Sequence, residues 1–406
     1  MNKAKYLIPL LFLLTNLFFS SCDNPKLKPP RSDSASAEEK AGEKGEMIDR
    51  EFARELAREF GKEFAIEFAR QMKGAGSFSL SEINGSVEKN SLGGLSGILN
   101  DRGEAHPLLD GCSEDVLEFY QKHSDCFSIA STNDIPANLN WQEGTGEKEF
   151  SSPAAQKGGT WEVFMRDFPR TLRTIGPDAN GAFRSYLLDY NVMSLTHAHP
   201  NSDGYYPGLA NSWAVGEDGK TVYFKLDPKA RYSDGENVKV SDFFFFFYFM
   251  RSKHIQAPWY NDFYGKDKFQ KVTLYDEETL SITFYKAKPD VVERVSIRAK
   301  PEHFYGELDG EFLSKYQWNP EPTTGAYVAL PENVDKGKSV TLVRQDDWWA
   351  NDKLFFRNRF NPDQIKVSVI RDNDKAFEIF LKGQIDAFGL AKTEFWYEKL
   401  KNAHPL

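Results

Sequence analysis

Residues 205–250 read YYPGLANSWAVGEDGKTVYFKLDPKARYSDGENVKVSDFFFFFYFM. Two short runs of strand-forming residues, 213–215 and 221–226, flank a Glu-Asp-Gly turn, which predicts a β-hairpin. An Asp-Gly turn and an aromatic segment follow, and we expect this segment to be a helix capped at Ser241 and Asp242. Because its five consecutive Phe residues leave no polar face, we predict that the helix is buried on all sides.

The composition describes a large, acidic, mostly globular chain. Its 406 residues are enough for two or three domains, and a hydrophobic content of 40% supports a sizeable core. The 51 basic and 60 acidic residues give a net charge of −9. No basic stripe stands out in the folded part, so the composition argues against nucleic acid as a partner.

Residues 205–250 carry residue types in an order that resembles one family, the extracellular solute-binding proteins of the oligopeptide and dipeptide ABC-transporter type, family 5. The matching positions are Leu209-Ala210, Trp213, Asp218-Gly219, Tyr223-Phe224, Leu226, Tyr232-Ser233-Asp234-Gly235 and Ser241-Asp242. Further matches are Lys157-Gly158-Gly159-Thr160, Thr323-Thr324-Gly325-Ala326-Tyr327, Trp348-Trp349 and Gly383-Gln384-Ile385-Asp386. Such a long ordered series is more specific than a single short motif.

The resemblance implies a mixed α/β (α+β) fold, namely a lobe of the type II periplasmic-binding-protein kind with a β-rich appended subdomain. Lobe I is expected at 157–208 and 321–406, and the subdomain at 209–320. In the family the chain continues after Gly-x-Ile-Asp to build a second lobe. This chain ends at Leu406, so we expect lobe II to be absent and this chain alone to bind peptide weakly or not at all.

Other elements follow from apolar alternation and from the resemblance. Strands are expected from about residue 161 and at 272–274, 280–284, 340–344 and 365–370, with a helix at 374–381. The pair Trp348-Trp349 is interpreted as core rather than as a ligand pocket.

The N-terminus is typical of an exported lipoprotein. Residues 1–21 combine two lysines, an apolar run and two small residues, and Cys22 follows directly, as at a lipoprotein cleavage site. A plain signal peptide or uncleaved anchor with an incidental cysteine is the alternative. Lipidation at Cys22 would tether the protein in the periplasm or at the cell surface, and Asp23 favours the inner membrane. Residues 22–45 have almost nothing to bury and are interpreted as a disordered tether.

A four-residue repeat, EFARELAREFGKEFAIEFAR, occupies residues 51–70. Four of its five Glu residues stand three positions before Arg or Lys, a helical ion-pair spacing, so we predict a long helix over 46–73. A step of four residues overshoots the helical turn, and the Phe row therefore winds around the helix. It would pack against a second copy, giving self-association, or against the protein's own globular part.

Residues 74–156 are interpreted as a partly irregular N-terminal extension with one helix near 113–122. Its two cysteines, Cys112 and Cys126, leave two alternatives open, a disulfide or two free thiols.

The sequence contains none of the common catalytic signatures that we sought. It lacks a GxSxG elbow, an HExxH pair and a Walker A loop, so we expect a protein that is not an enzyme and has no cofactor. His197 and His199 could share one face of a strand and bind a metal, but no further ligand stands at a suitable spacing. We therefore interpret them as packing or surface histidines and expect no metal site.

The leading hypothesis is a lipid-anchored receptor that presents oligopeptides or peptide-like solutes to the permease subunits of an ABC importer. Family members bind extended peptides mostly through main-chain hydrogen bonds. From matching loops, the resemblance implies ligand contacts at Phe168, Thr171, Thr324 and Gly325. The competing hypothesis is an envelope scaffold lipoprotein that acts through its 46–73 helix.

Overall fold

A computed structural model of the chain describes residues 97–100, 103–389 and 392–399. The predicted signal peptide, the lipidation site Cys22, the tether and the repeat helix therefore lie outside the described residues, as do residues 74–96 of the extension.

The described residues form two main sheets, a two-stranded ribbon and short helices. Their strands are β1 (Phe127–Ile129), β2 (Thr160–Met165), β3 (Thr196–Ala198), β4 (Tyr205–Pro207), β5 (Ala210–Val215), β6 (Thr221–Leu226), β7 (Phe269–Leu274), β8 (Thr279–Phe284), β9 (Tyr327–Asp335), β10 (Ser339–Arg344) and β11 (Gln364–Val369). Their α-helices are α1 (Glu114–Lys122), α2 (Ser241–Arg251), α3 (Pro258–Phe263), α4 (Val291–Val295), α5 (Glu302–Tyr305), α6 (Phe312–Lys315) and α7 (Asn373–Leu381). In this part of the chain, no helix combines the length and the apolar character that crossing a membrane requires.

The predicted hairpin is confirmed as β5 and β6, which pair antiparallel with Trp213 opposite Phe224. Its turn depends on the Asp218 carboxylate, which accepts hydrogen bonds from the backbone N–H groups of Lys220 (3.0 Å) and Thr221 (2.9 Å). Gly219 has a φ of +63°, a conformation that glycine adopts without a steric penalty. The hairpin belongs to a five-stranded sheet in the order β1-β7-β8-β6-β5, where β7 and β8 are the strands expected near 272–274 and 280–284.

Helix α2 packs inside the protein, as its aromatic sequence predicts. Nine of its eleven residues are buried, including all five consecutive Phe residues. The rings of Phe244 and Phe247 contact Phe127 of β1, and Phe249 contacts Tyr305 of α5. The helix therefore joins the sheet to the neighbouring helices.

The expected cap of α2 is wrong in detail. The residue before the helix is Val240, and no side chain caps the first turn. The Asp242 carboxylate instead accepts hydrogen bonds from the Lys239 N–H (2.9 Å) and the Tyr232 hydroxyl (3.0 Å). Asp242 thus holds the segment that precedes the helix in place. Burial raises the pKa of Asp242 from 3.8 to about 7, although these hydrogen bonds by themselves would lower it.

The second sheet has the order β2-β11-β10-β9, in which β2 and β11 are parallel and the other pairs are antiparallel. Strands β2, β10 and β11 and helix α7 lie where the sequence predicts them. Trp348 and Trp349 are buried, as expected of core residues, and both indole N–H groups donate to the carbonyl of Thr324 at 2.9 Å.

The extension contributes more structure than the sequence indicated. Helix α1 begins after Ser113, whose hydroxyl accepts from the Val116 N–H. Strand β1, which was not predicted, pairs in parallel with β7, so that Phe127 lies opposite Val272. The five-stranded sheet thus includes residues from the extension. The predicted division of the chain into domains stays a prediction.

Cys112 and Cys126 are free thiols, the second of the two alternatives. The buried Cys126 thiol donates to the Phe269 carbonyl (3.6 Å) and accepts from the Arg251 guanidinium (3.4 Å). Burial and the neighbouring Glu302 raise the pKa of Cys112 far above its ordinary value. Each thiol has its own polar partner on a different element, and the two are not paired with each other.

Candidate functional site

A groove of about 670 Å³, here called the arginine groove, opens in the described part of the chain. Its walls are residues 165–171, 173, 176–184, 187 and 256–260. One wall is thus the loop that follows β2, and the other is the turn before α3 together with the first residues of α3. The volume is within the range of ordinary ligand pockets, roughly 300–1,000 Å³.

The first wall of the groove has an unusual backbone. Gly176 has a φ of +94°, and a Cβ there would lie 2.6 Å from the carbonyl oxygen of Ile255, the residue before the opposite wall. Asp178 also has a positive φ, +63°, and its carboxylate bonds to Arg170 (3.1 Å). Only glycine allows the two walls to approach so closely at position 176.

The second wall presents aromatic side chains. Trp259 is 65% exposed and stacks on Phe263 with ring centres 4.9 Å apart. The Tyr260 hydroxyl accepts a hydrogen bond from Arg184 in the first wall (3.1 Å). Gln256, which begins this wall, has a positive φ of +48°. Polar and aromatic groups therefore face the groove together.

Charged residues in the groove are mostly basic, with four arginines against two aspartates: Arg166, Arg170, Arg173, Arg184, Asp167 and Asp178.

Arg173 is the buried member of this set, with an exposed fraction of 8%. Its Nη1 donates to the carbonyl of Ile175 (3.1 Å) and its Nη2 to that of Pro177 (3.0 Å). Its guanidinium carbon lies 6.0 Å from the centre of the Phe312 ring. Among the described residues, its Nε has no hydrogen-bond partner, and no carboxylate lies within ion-pair distance of it.

Two of the four predicted contact residues line the groove. Phe168 is half-buried, and its ring stacks on Trp318 at 6.0 Å between centres. Thr171 is buried, and its hydroxyl donates to the Gln317 carbonyl (3.0 Å) and accepts from the Arg173 N–H (3.1 Å). Phe168 can contact a ligand directly, whereas Thr171 holds the loop.

The other two expected contacts, Thr324 and Gly325, are directed into the protein. Thr324 is 1% exposed, and its hydroxyl accepts from the Met193 N–H (3.0 Å). A Cβ on Gly325 would lie 1.9 Å from the carbonyl oxygen of Asn191, so glycine is required there by packing. Neither residue lines the groove, because both are used to join β9 to the segment before β3.

A second opening of about 480 Å³, here called the acidic pocket, shares Leu187 with the arginine groove. Its lining residues are 172, 174, 187, 191–192, 233–234, 319–323, 327–331, 345 and 347. It contains three carboxylates and no basic side chain. Each carboxylate bonds to a basic group outside the lining, in the pairs Asp234–His303, Glu321–Lys300 and Asp347–Arg231.

The two histidines that were weighed as metal ligands are used for packing. His197 is buried against Tyr206, with ring centres 5.2 Å apart, and burial lowers its pKa to about 3. His199 uses both ring nitrogens, with Lys148 (2.8 Å) and Ser202 (3.0 Å) as partners. In the described part of the chain, no three His, Cys, Asp or Glu side chains are grouped to hold a metal ion.

The sequence interpretation missed Arg173, Gln256 and Trp259. The basic residues between positions 166 and 184 were a readable signal, since four arginines occur there. No local pattern connects that stretch with residues 256–260, which meet it only in the folded chain.

Comparison with known proteins gives relatives at modest identity. A Brucella melitensis protein that carries only a provisional name as a binding protein is 27% identical over 249 residues, covering 59% of this chain and 39% of the relative. The dipeptide-binding protein DppE of Bacillus subtilis is 24% identical over 202 residues, covering 44% of this chain and 34% of DppE. The chain thus spans between a third and two fifths of the length of these relatives.

Among solved structures, the oligopeptide-binding protein AppA of Bacillus subtilis, determined in complex with a nonapeptide, matches with a TM-score of 0.50 at 16% identity. The match covers 61% of this chain and 47% of AppA. At this identity the likeness concerns the fold alone, and it agrees with the mixed α/β architecture expected from the sequence. Residues 204–405 match the profile of the middle region of the bacterial extracellular solute-binding proteins, family 5.

Proposed function

We propose that the protein is the substrate-binding component of an ABC importer and that it receives oligopeptides or peptide-like solutes. The observation that carries this proposal is the arginine groove, an open cleft on a chain whose residues 204–405 match the solute-binding family model. The permease subunits of the importer are the corresponding protein partners.

The walls of the groove suit an extended peptide. Residues 166–184 contain little regular structure, so many of their main-chain groups are free of strand or helix ladders. Main-chain pairing gives affinity for a peptide without reading its side chains. The exposed ring of Trp259 and the half-buried ring of Phe168 add apolar contact area for ligand side chains.

The relatives support the same ligand class. DppE is named as a dipeptide-binding protein, and the AppA structure contains a nonapeptide. These properties belong to those proteins, and we extend the class of ligand, not a particular peptide, to this chain.

A peptide titration of the full 406-residue chain tests the proposal. With ¹⁵N-labelled tryptophan, we expect a mixture of short peptides to shift the indole signals of Trp259, which lines the groove, and of Trp318, which stacks on the lining residue Phe168. Trp396 is also exposed, at 58%, but lies outside the groove, so its signal serves as the control. Trp259→Phe, Trp318→Phe and Trp396→Phe variants assign the three signals. If neither groove signal moves up to millimolar peptide, the peptide-receptor proposal is wrong and a scaffold role is favoured.

We further propose that Cys22 carries a lipid that holds the protein at the outer face of the cytoplasmic membrane. The motif before Cys22 and the adjacent Asp23 support this placement. Metabolic labelling with an alkyne fatty acid should mark the wild-type chain and a Cys112→Ser control, and should not mark a Cys22→Ser variant. Equal labelling of all three chains would contradict the anchor.

A further inference from the structure

The charges of the arginine groove are unevenly compensated. Arg170 pairs with Asp178 (3.1 Å), and Arg184 pairs with Asp189 (3.5 Å). Arg173 has no such partner among the described residues, although it is the most buried of the four arginines.

A buried charge without a counterion is energetically unfavourable, and arginine does not escape the penalty by losing its proton. Carbonyl oxygens of Ile175 and Pro177 satisfy the two Nη groups of Arg173 and thereby hold the guanidinium in place. They supply partial rather than full negative charge. A purely structural clamp of this turn would explain the Nη bonds, but it leaves the Nε group unused, and the nearby Asp178 carboxylate bonds to Arg170 and not to Arg173.

The rim of the groove adds to the positive field. Arg166 is exposed and has no ion-pair partner among the described residues, and its neighbour Asp167 is the remaining negative charge of the lining. Positive side chains at the mouth of a cleft attract an anionic ligand and raise its local concentration. The buried cation and the rim thus favour the same kind of ligand group.

We infer that the arginine groove binds a carboxylate of the ligand, so that acidic peptides are preferred over neutral and basic ones. The carboxylate is supplied by an Asp or Glu side chain or by the peptide's C-terminus. Guanidinium groups recognise both in the same way, through charge-assisted hydrogen bonds. This inference rests on the proposed function and specifies its substrate class.

Four peptides separate the two sources of the carboxylate. Pentapeptides of alanine with a central Glu, Gln or Lys, and the Gln peptide with an amidated C-terminus, are titrated into the full chain while the Trp259 indole signal is followed. If the ligand side chain is bound, the Glu peptide should bind roughly tenfold more tightly than the Gln peptide. If the C-terminus is bound, amidation should weaken binding by a similar factor. The Lys peptide should bind most weakly among the three peptides with a free C-terminus.

Three single-charge variants locate the effect. Arg173→Gln should abolish the preference for peptides with a carboxylate. Arg166→Gln should reduce this preference and should also make it depend less on salt concentration. Arg294→Gln removes an exposed arginine that pairs with Asp290 outside the groove and should leave the preference unchanged. If Arg173→Gln does not fold, the carboxylate preference is tested by the affinities of the four peptides for the wild type and for Arg166→Gln.

Two negative results have different meanings. Equal affinities for the Glu, Gln, Lys and amidated peptides would overturn the carboxylate inference and leave the peptide-receptor proposal standing. Failure of every peptide to bind would overturn the proposed function itself.

Discussion

Helix α2 and the arginine groove use aromatic side chains in opposite ways. In α2 the Phe rings are enclosed by the sheet and by neighbouring helices, and nine of eleven residues are buried. In the groove Trp259 is mostly exposed, and the backbone is irregular. The first region stabilises the fold, whereas the second leaves apolar surface and polar groups available to a ligand.

Backbone strain follows the same division. Among the described residues, three that are not glycine have a positive φ, and two of them, Asp178 and Gln256, line the groove. Helix α2 contains no such residue. Strained conformations persist where the surrounding structure holds them and where function uses them. The strained backbone therefore lies at the groove and not in α2, as expected where stability is given up for binding.

The largest expected effect is on stability, from Phe244→Ala in α2. Phe244 is fully buried against Tyr120 and Phe127, so the change should leave a cavity and lower the free energy of unfolding by about 3–5 kcal/mol. Denaturant titration measures this loss. The matched change Trp259→Ala should cost within about 0.5 kcal/mol, because that ring is mostly exposed. Similar losses in the free energy of unfolding for Phe244→Ala and Trp259→Ala would contradict the distinction between a stabilising helix α2 and an exposed groove.

The second expected effect is on the pH dependence of stability. Burial raises the pKa of Asp242 from 3.8 to about 7, so the folded state holds its proton at pH values where the unfolded state has released it. The stability that this proton contributes to the folded state is complete below about pH 4 and is lost as the pH rises to 7. Stability should therefore fall over this range by up to about 1.4 kcal/mol per pH unit for this one proton.

Asp242→Asn is the test of that slope. Denaturant titrations at several pH values should give a flatter profile for the variant than for the wild type. Glu302 also has a pKa raised by burial, and burial lowers the pKa of His197 to about 3, which gives a slope of opposite sign, so Asp242 is measured by the difference between the two profiles and not by the slope that remains. An unchanged profile would show that Asp242 is ionised throughout the range.

A third effect tests the close approach of the groove walls. Gly176→Ala places a Cβ near the Ile255 carbonyl and forces alanine into a positive φ, so we expect a loss of about 1–3 kcal/mol and weaker peptide binding. Gly181 lines the same groove, and a Cβ there meets nothing within 4 Å. Gly181→Ala should therefore change little, and calorimetry together with peptide titration compares the two. Equal behaviour would mean that the groove walls can move apart freely.

The smallest expected effect separates structural support from ligand contact. Thr324→Val removes the acceptor of the buried Met193 N–H, so stability should fall by about 1–2 kcal/mol while peptide affinity stays the same. Phe168→Ala should show the reverse, with a small loss of stability and a clear loss of affinity. A drop in peptide affinity for Thr324→Val would show that Thr324 contributes to the binding site.

Much of the local structure could be predicted from the sequence. The Asp218-Gly219 turn, the alternation in β6 and the all-apolar character of α2 each depend on neighbouring residues, and each lies where expected. Strand β1 could not be predicted, because three residues, Phe127–Ile129, become a strand only through pairing with β7. The hydrogen bond of Thr324 could not be predicted for the same reason, since its partner Met193 is distant in sequence.

The hairpin and the buried helix follow from the sequence alone, because turn chemistry and apolar periodicity act over a few residues. Only the tertiary structure decided that residues 166–184 and 256–260 form one groove, and that Arg173 is buried there without a carboxylate partner. Burial and charge compensation depend on groups brought together from distant parts of the chain. They are therefore properties of the packed molecule and not of any one segment.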